Sequence, residues 1–288
     1  MRVKELNGVS AKAFCTIKTG GILSRVWVPE SAEELRFLAE KLPKTEMAPF
    51  YLGLGGNTLF PDGTLYRPVV SLRKCSRIIP IDLKNGLVYA ECGVLLSALA
   101  AFAEKNALGG AEALSGIPGT TGGAAVMNAG AFYRSFADIC VSVDTDRGRF
   151  SAKECGFSYR KSRFQTEKTV VFGATLRLYP EDPAVTRRKT EEYKRLRAER
   201  QPQNFPSAGS VFRGAEGGVP AWKYLDGAGL RGRKIGGATF SEKHANFIVN
   251  TGGATTSDVE ALIGEAKMRV YEKFGVKLVE EIVRAYDS

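Results

Sequence analysis

The fold of this chain is decided by the stretch Leu114-Ser115-Gly116-Ile117-Pro118-Gly119-Thr120-Thr121-Gly122-Gly123, which is too rich in glycine to be an ordinary turn. Glycine has no Cβ and tolerates positive φ, so such a loop can bring backbone N–H groups close to an anion. The loop lacks the Lys-Ser/Thr ending of a Walker A sequence, which argues against nucleotide hydrolysis. Taken alone, it indicates either a phosphate-binding loop or a tight turn without a ligand.

A second glycine-rich loop, Leu52-Gly53-Leu54-Gly55-Gly56-Asn57-Thr58, lies earlier in the chain and follows a predicted strand. A dinucleotide-binding fingerprint would need a helix after this loop, whereas Pro61-Asp62-Gly63 occupies that place, so the loop is not of the Rossmann type. Since a diphosphate needs two sets of donors, the two loops together favour one extended phosphate-bearing cofactor between two successive α+β units.

Capping residues and hydrophobic periodicity predict the main helices. Ser31-Ala32-Glu33-Glu34 is a capping box that starts one helix. Ser257-Asp258-Val259-Glu260 is a second capping box, which starts a last helix that ends near Gly275. A further helix is expected over residues 95–105, and the chain is expected to return as a strand over residues 276–278.

The chain is predicted to be an α+β protein with three parts, namely residues 1–75, 76–180 and 184–288. Pro180-Glu181-Asp182-Pro183 is typical of a linker before the third part. Short β-rich runs bounded by Gly, Pro or Asp predict strands at residues 25–29, 50–52, 68–72, 78–81, 87–90, 139–143, 170–178 and 246–250.

Composition and charge restrict the class of protein. The chain has 288 residues, of which 44% are hydrophobic and 25% charged, as in a globular protein and unlike a disordered one. Its net charge of +10 indicates either a nucleic-acid surface or a pocket for a polyanionic small molecule. The densest basic segment, residues 187–200, is interrupted by Glu191, Glu192 and Glu199, which favours a solvated helix face and no nucleic-acid partner.

Neither a membrane segment nor a metal site is expected. The longest nearly uncharged apolar stretch, residues 94–103, is far shorter than the roughly 20 residues that span a bilayer. No apolar segment follows the charged N-terminus as in a secretory signal, so we expect a cytosolic protein. Five cysteines without a C-x-x-C pair, and a single histidine, argue against a metal site or a disulfide framework and predict buried thiols.

The wider pattern of motifs resembles the UDP-N-acetylenolpyruvoylglucosamine reductase (MurB) family. Residues 114–131 closely resemble the flavin loop of that family, and residues 53–58 are similar to its G-x-G-S-N loop. The resemblance covers about residues 12 to 284. The other matching motifs follow in family order: Thr16-Ile17-Lys18-Thr19-Gly20-Gly21, Ser158-Tyr159-Arg160-Lys161-Ser162-Arg163-Phe164, Gln201-Pro202, Pro206-Ser207-Ala208-Gly209-Ser210-Val211-Phe212, Ile235-Gly236-Gly237-Ala238 and residues 241–250.

This resemblance implies a two-part FAD-binding region of the vanillyl-alcohol-oxidase (PCMH) type, followed by a C-terminal α+β substrate-binding domain. One subclass of the family carries an insertion with a pocket-capping tyrosine, and its absence here resembles the shorter type II form. The implied activity is the reduction of FAD by NADPH, followed by hydride transfer to UDP-N-acetylglucosamine enolpyruvate. The product would be UDP-N-acetylmuramate, a precursor of peptidoglycan and hence of the cell wall.

The resemblance also assigns roles to single residues. Arg160 matches the family arginine that holds the substrate carboxylate, and Ser210 matches the serine that gives a proton to the carbanion. Glu281 matches the C-terminal acid that stabilises the enolate-like intermediate. Arg231 and His244 match positions that contact the UDP-sugar, although His244 is equally compatible with a structural hydrogen bond.

The flavin is expected to lie on the two glycine-rich loops. Arg197 matches a family arginine near the flavin, and it is equally compatible with one more charge on a basic helix. No metal is implied. The expected cofactor-binding residues are Gly53, Leu54, Gly55, Gly56, Asn57, Thr58, Gly116, Pro118, Gly119, Thr120, Gly122, Gly123 and Arg197.

Two departures from the family pattern bear on affinity for the UDP-sugar or the flavin. Arg213-Gly214-Ala215 stands where Lys-Asn-Pro usually follows Ser-Val-Phe, and Val283 stands where an arginine is usual. The alternatives are another flavin oxidoreductase on the same fold, a paralogue that binds flavin or UDP-sugar without turnover, and a basic nucleic-acid-binding protein. The oligomeric state is open, with a monomer preferred, and the family suggests that the two nucleotides bind in alternation.

Overall fold

The computed structural model describes residues 2–42, 48–167, 169–214 and 218–286. The α-helices are α1 (Ala32–Lys41), α2 (Leu96–Lys105), α3 (Thr121–Met127), α4 (Arg163–Thr166), α5 (Pro183–Arg200), α6 (Ala221–Gly227) and α7 (Thr256–Phe274). The strands are β1 (Lys4–Ser10), β2 (Ile22–Val28), β3 (Phe50–Leu52), β4 (Thr58–Leu59), β5 (Thr64–Leu65), β6 (Val69–Ser71), β7 (Ile78–Asp82), β8 (Leu87–Glu91), β9 (Leu108–Gly109), β10 (Gly130–Ala131), β11 (Arg134–Ser135), β12 (Cys140–Thr145), β13 (Gly148–Ser151), β14 (Val171–Arg177), β15 (Tyr179–Pro180), β16 (Ser207–Ser210), β17 (Lys234–Ile235), β18 (Ala238–Phe240), β19 (Phe247–Asn250) and β20 (Val283–Arg284).

The described chain divides into two compact units, and each is built from segments that are distant in sequence. The first unit takes its residues from the ranges 1–6, 26–54 and 69–197. The second takes them from the ranges 7–25, 55–68 and 198–288. These units follow spatial contacts, and the division of the chain into 1–75, 76–180 and 184–288 stays a prediction.

The core of the first unit is built around an antiparallel sheet in the order β13-β12-β14-β8-β7. The central strand β14 is buried along most of its length, because its run Val171-Phe172-Gly173-Ala174 has neighbours on both faces. Helix α2 buries Leu96, Leu99, Ala100 and Ala103, whose spacing places them on one face of the helix. Parallel pairing of β3 with β6, and of β6 with β2, adds a second sheet.

The first helix confirms its predicted start. The Ser31 hydroxyl accepts a hydrogen bond from the backbone N–H of Glu34, as a capping side chain does, and α1 begins at the next residue. The five cysteines are all free and buried, as the sequence predicts.

The second unit contains an antiparallel sheet in the order β16-β19-β18-β17, with α7 packed against it. Five apolar residues of α7 that recur with helical periodicity are buried in this unit, which the sequence predicts. They are Val259, Leu262, Ile263, Ala266 and Val270. Among the described residues, no helix is both long and apolar enough to cross a bilayer.

The start of α7 differs from the prediction. Thr255, and not Ser257, caps the helix: its hydroxyl accepts from the Asp258 N–H at 3.0 Å, and the Asp258 carboxylate accepts from the Thr255 N–H. Ser257 instead donates to the carboxylate of Asp62. The helix begins two residues earlier than predicted because Thr255 and Asp258 form the reciprocal capping box.

Another expectation on chain course is wrong. Residues 276–278 form no strand, and the strand that pairs with β4 is β20, where Val283 lies opposite Thr58 in parallel register. Short sequence patterns do not encode the partner of a strand. The segment at residues 180–183 runs from β15, which pairs with β9, into α5 at Pro183, and its role as a linker before a third part stays a prediction.

Candidate active site

The start of the first glycine-rich loop, at Gly53 and Leu54, meets the second loop in the first unit. Gly53 lies so close to Thr120 that a Cβ on the glycine would stand 2.6 Å from the threonine Oγ1. Arg73 supports the first loop by donating to the carbonyl oxygens of Gly53 and Leu54 at 3.3 and 2.9 Å. Glycine is therefore required at residue 53 by close packing as well as by any ligand.

Part of the second loop is held by the protein itself. The N–H groups of Thr121 and Gly122 donate to the carbonyl oxygens of Val94 and Cys92, each at 2.8 Å. A Cβ on Gly122 would stand 2.8 Å from the Cβ of Cys92. These two amides fix the position of the loop, so any anion that the loop binds uses other donors.

A pair of arginines lies beside this loop. Arg197, near the end of α5, packs against Gly116 so closely that a Cβ there would lie 2.9 Å from the arginine Cδ. Burial lowers the pKa of Arg197 to about 10, and the positive charge of Arg160 adds to this effect. Within the described residues, Arg197 makes no hydrogen bond or ion pair.

These residues fit the FAD that the family resemblance implies. A half-buried guanidinium without a counter-ion costs free energy, and a bound anion would compensate this cost. The guanidinium of Arg160 adds a second positive charge near Arg197. The close-packed glycines at residues 53, 116 and 122 keep the loop backbone free of side chains, so that a pyrophosphate can approach it.

Arg160 is held in an unusual backbone conformation. Its φ of +55° lies in the left-handed region, in a turn where Ser158 and Lys161 are bridged through their backbones. Its guanidinium Nη2 donates to the carbonyl oxygen of Gly130 at 2.8 Å. This hydrogen bond fixes the position of the guanidinium beside Gly130.

Asn128 supports this turn and was not predicted as a site residue. Its side-chain amide donates to the Ser158 carbonyl at 2.9 Å and accepts from the Ala137 N–H at 3.0 Å. Its own φ is +41°, and asparagine tolerates the left-handed region better than most residues. An asparagine directly after the helix-forming run of α3 was the available sequence signal.

Ser210 and Glu281 come together in the second unit. Ser210 ends β16, and the next residue, Val211, accepts a hydrogen bond from the Glu281 N–H at 2.8 Å. Asn57 of the first glycine-rich loop donates from its side chain to the Glu281 carbonyl, also at 2.8 Å. Thr16 of the N-terminal motif donates to the Ser207 carbonyl at 2.6 Å, so four matching motifs converge here.

Arg231 and His244 form a separate group in the second unit. Arg231 is exposed and pairs with Asp226 at 2.7 Å, and it also donates to the carbonyl of Glu242. The Nδ1 of His244 accepts from the Asn246 N–H at 3.2 Å. Burial lowers the pKa of His244, although a backbone hydrogen bond opposes this and the Arg231 charge adds to it. The hydrogen bond from the Asn246 N–H supports a structural role for His244. A contact of the other ring nitrogen with the UDP-sugar stays a prediction.

The structure therefore gathers the predicted residues into groups within each unit. The first unit holds Arg160, Arg197, Gly53, Leu54, Gly116, Pro118, Gly119, Thr120, Gly122 and Gly123. The second holds Ser210, Glu281, Gly55, Gly56, Asn57, Thr58, Arg231 and His244. Of the residues that depart from the family pattern, Arg213 donates its N–H to the Val279 carbonyl and Val283 lies in β20, whereas Ala215 lies outside the described residues.

Comparisons with known proteins match this organisation. Residues 23–145 match the family model described as FAD binding domain, and residues 201–285 match the model described as UDP-N-acetylenolpyruvoylglucosamine reductase, C-terminal domain. The α+β class and the FAD-binding region are thereby confirmed.

Whole-length relatives point the same way. The UDP-N-acetylenolpyruvoylglucosamine reductase of Carboxydothermus hydrogenoformans is 42% identical over 93% of this chain and 89% of its own length. The reductase of Caldanaerobacter subterraneus is 40% identical over 94% of this chain and 90% of its own. The crystal structure of the reductase from Thermus caldophilus superposes with a TM-score of 0.78 at 32% identity, covering 99% of both chains. Since motifs, fold and whole-length similarity agree, the chain is a flavin-dependent oxidoreductase that belongs to the UDP-N-acetylenolpyruvoylglucosamine reductase family.

Proposed function

We propose that this enzyme reduces UDP-N-acetylglucosamine enolpyruvate to UDP-N-acetylmuramate with NADPH as the hydride donor, as a step of peptidoglycan precursor synthesis. The observation that carries the proposal is the neighbouring pair of Arg160 and the half-buried Arg197 beside the flavin loop, where Arg197 has no counter-ion among the described residues. The names of the relatives support the same substrate.

The reaction sets a clear electrostatic demand. FAD, when bound, supplies the hydride chemistry, accepting from the nicotinamide and delivering to the enol ether. Hydride addition at the terminal carbon of an enol ether is feasible only if the attached carboxylate can hold developing negative charge. Arg160 would bind that carboxylate, and a planar guanidinium is well matched to this task.

A proton has to reach the carbon next to the carboxylate. Ser210 would donate it, because a carbon-centred base is strong enough to take a hydroxyl proton when the geometry is fixed. Glu281 would stabilise the enolate-like intermediate by staying protonated or hydrogen-bonded near the carboxylate. The support for their pairing is the 2.8 Å bond from the Glu281 N–H to Val211, directly after Ser210.

An anaerobic absorption experiment tests the proposal. We expect purified protein with FAD to bleach when NADPH is added and to regain its yellow colour when the enolpyruvyl sugar follows. Protein that takes up no FAD would overturn the proposal. A flavin that bleaches without recovery would favour the paralogue without this turnover, or a flavin oxidoreductase with another acceptor.

The same assay tests whether Ser210 acts only in the second half-reaction, the reduction of the enolpyruvyl sugar. In Ser210→Ala, bleaching by NADPH should stay within about twofold of wild type, while recovery slows by about 10²- to 10⁴-fold, the range typical of a lost general acid. Ser207→Ala, at the first serine of the same motif, is the matched control and should recover normally. Equal recovery in both variants would remove Ser210 from the reaction.

Three further parts of the proposal are predictions. These are a monomeric state, alternate binding of NADPH and the UDP-sugar, and a location in the cytosol. A complex holding NADPH and the UDP-sugar together would contradict alternate binding.

A further inference from the structure

A strained hairpin lies next to Arg160 in the first unit. Gly130 pairs with Ser135 and Ala131 with Arg134, which leaves Phe132 and Tyr133 as a two-residue loop. Their φ values are +53° and +62°. Two-residue hairpin loops with positive φ at both positions favour Asn-Gly, because glycine and asparagine adopt this conformation at low cost. Two aromatic residues here are strained.

Only one of the two aromatic rings gains a contact from the protein in return. Phe132 packs on Tyr193 of α5 with ring centroids 5.1 Å apart. Tyr133 is fully exposed, and its side chain has no hydrogen bond, ring contact or ion pair among the described residues. Backbone strain that the protein's own contacts do not compensate points to a functional role.

The base of the hairpin belongs to the candidate site. Gly130 accepts the hydrogen bond from Arg160, and three residues of chain span at most about 11 Å, so Tyr133 stays within reach of a ligand at that arginine. Tyr193, the partner of Phe132, lies one helical turn before Arg197 on α5. The hairpin tip therefore stands near both arginines of the site.

We propose that Tyr133 is a specificity-determining residue that packs its ring against the enolpyruvyl sugar held by Arg160. This inference rests on the proposed function, which puts the substrate carboxylate on Arg160. The aromatic face suits the apolar C–H face of a sugar ring or of the enolpyruvyl group, and contacts of aromatic rings add to affinity beyond area burial. Retaining tyrosine at a backbone position that favours asparagine or glycine costs stability and gains substrate affinity.

The test uses variants with opposite effects on strain and on contact. Tyr133→Asn relieves the strain and removes the ring, Tyr133→Gly does the same with the residue that left-handed backbone accepts best, and Tyr133→Phe keeps the ring. Tyr66→Asn, at another exposed tyrosine without positive φ, is the control. The measurements are the melting temperature, the rate of flavin bleaching by NADPH, and KM for the enolpyruvyl sugar.

We expect Tyr133→Asn and Tyr133→Gly to melt at a higher temperature and to show KM for the enolpyruvyl sugar raised about 3- to 10-fold. Bleaching by NADPH should not change. Tyr133→Phe and Tyr66→Asn should keep the wild-type KM within about twofold.

A wild-type KM in Tyr133→Asn and Tyr133→Gly would overturn the inference, and so would a change confined to the NADPH half-reaction. If wild-type protein bleaches and recovers normally, that failure concerns Tyr133 alone. Wild-type protein that never turns over the enolpyruvyl sugar would overturn the proposed function and this inference together.

Discussion

His244, the single histidine of the chain, shows how the environment of one side chain sets its charge. Burial lowers its pKa, the Arg231 charge adds to this, and its Nδ1 accepts from the Asn246 N–H, so the ring is neutral at pH 7. Because the folded-state pKa lies below the unfolded value of about 6.5, the stability from this residue is present above that pH. It is lost as pH falls through the folded pKa.

We therefore predict that His244→Gln loses less stability than wild type as pH falls from about 7 to about 5. Urea unfolding at several pH values measures this, and the slope of the free energy of unfolding against pH should be smaller in the variant. Identical slopes would mean that another group controls this pH range. The same variant's KM for the UDP-sugar decides whether the ring also contacts substrate.

Strain at single residues is concentrated beside the arginine pair. Asn128, Phe132, Tyr133 and Arg160 all have positive φ, and each left-handed non-glycine residue costs about 1–2 kcal/mol. Hydrogen bonds from Asn128 and Arg160 to backbone carbonyls compensate part of that cost. The free energy of unfolding is thus reduced in the segment where the site needs a fixed geometry.

At the scale of elements, α5 confirms the interpretation of residues 187–200 as a solvated helix face. Only Thr186 and Thr190 are buried among its residues, and its charges pair on the surface, as Arg187 does with Glu104. The helix is a solvated one, as the interruption of its basic run by glutamates predicts. Arg197 is the exception, since it packs against the flavin loop.

The glycine inside α7 and the glycine that follows its last residue should respond in opposite ways to substitution by alanine. Gly264 lies inside the helix with open space where a Cβ would be, so Gly264→Ala should raise the free energy of unfolding by about 0.5–1 kcal/mol. Gly275 ends the helix with φ +69°, so Gly275→Ala should lower it by about 1 kcal/mol.

Denaturant unfolding measures the free energy of unfolding of both glycine variants, and each variant is the control for the other. A loss of stability in Gly264→Ala would mean that this exposed turn makes contacts that its open Cβ position does not reveal.

At the scale of the whole molecule, the C-terminal segment joins distant parts of the second unit. Arg284 pairs with Glu260 of α7 and with Glu280, both at 2.6 Å, while the backbone of β20 pairs with β4. Only 19% of the Arg284 side chain is exposed, compared with 63% for Arg187 in its pair with Glu104. Ion pairs gain strength as they leave solvent, and losing one partner of a buried pair is costly.

We predict that Arg284→Met lowers the free energy of unfolding by about 2 kcal/mol at pH 7, between the values for exposed and fully buried pairs. The exposed-pair control Arg187→Met should cost at most about 0.5 kcal/mol.

This difference should also depend on pH. Burial raises the pKa of Glu260, but hydrogen bonds from Arg284 and Tyr286 outweigh burial and lower it. A lowered carboxyl pKa stabilises the fold above the unfolded value and ceases to do so as pH falls through the folded value. The difference in free energy of unfolding between Arg284→Met and wild type should therefore become smaller as pH falls. A difference that stays constant down to about pH 3 would contradict this.

The local sequence pattern predicted the structure correctly where contacts between residues close in sequence determine it. The buried face of α7 follows from apolar spacing, and the start of α1 follows from Ser31, because contacts within one helical turn lie within a few residues. Local pattern failed at residues 276–278 and at the cap of α7. A strand needs a partner, and two overlapping capping signals compete at residues 255 and 257.

The sequence by itself determined the α+β class, the two glycine-rich loops, the buried thiols and the family, since composition, periodicity and motif order carry this information along the chain. Only the tertiary structure decided that Gly53 packs on Thr120, that Arg197 lies half-buried near Arg160 without a counter-ion in the described part of the chain, and that Tyr133 stands strained at a hairpin tip. Burial and pairing arise between segments far apart in the chain, and their free energy depends on packing, which no local window of sequence contains.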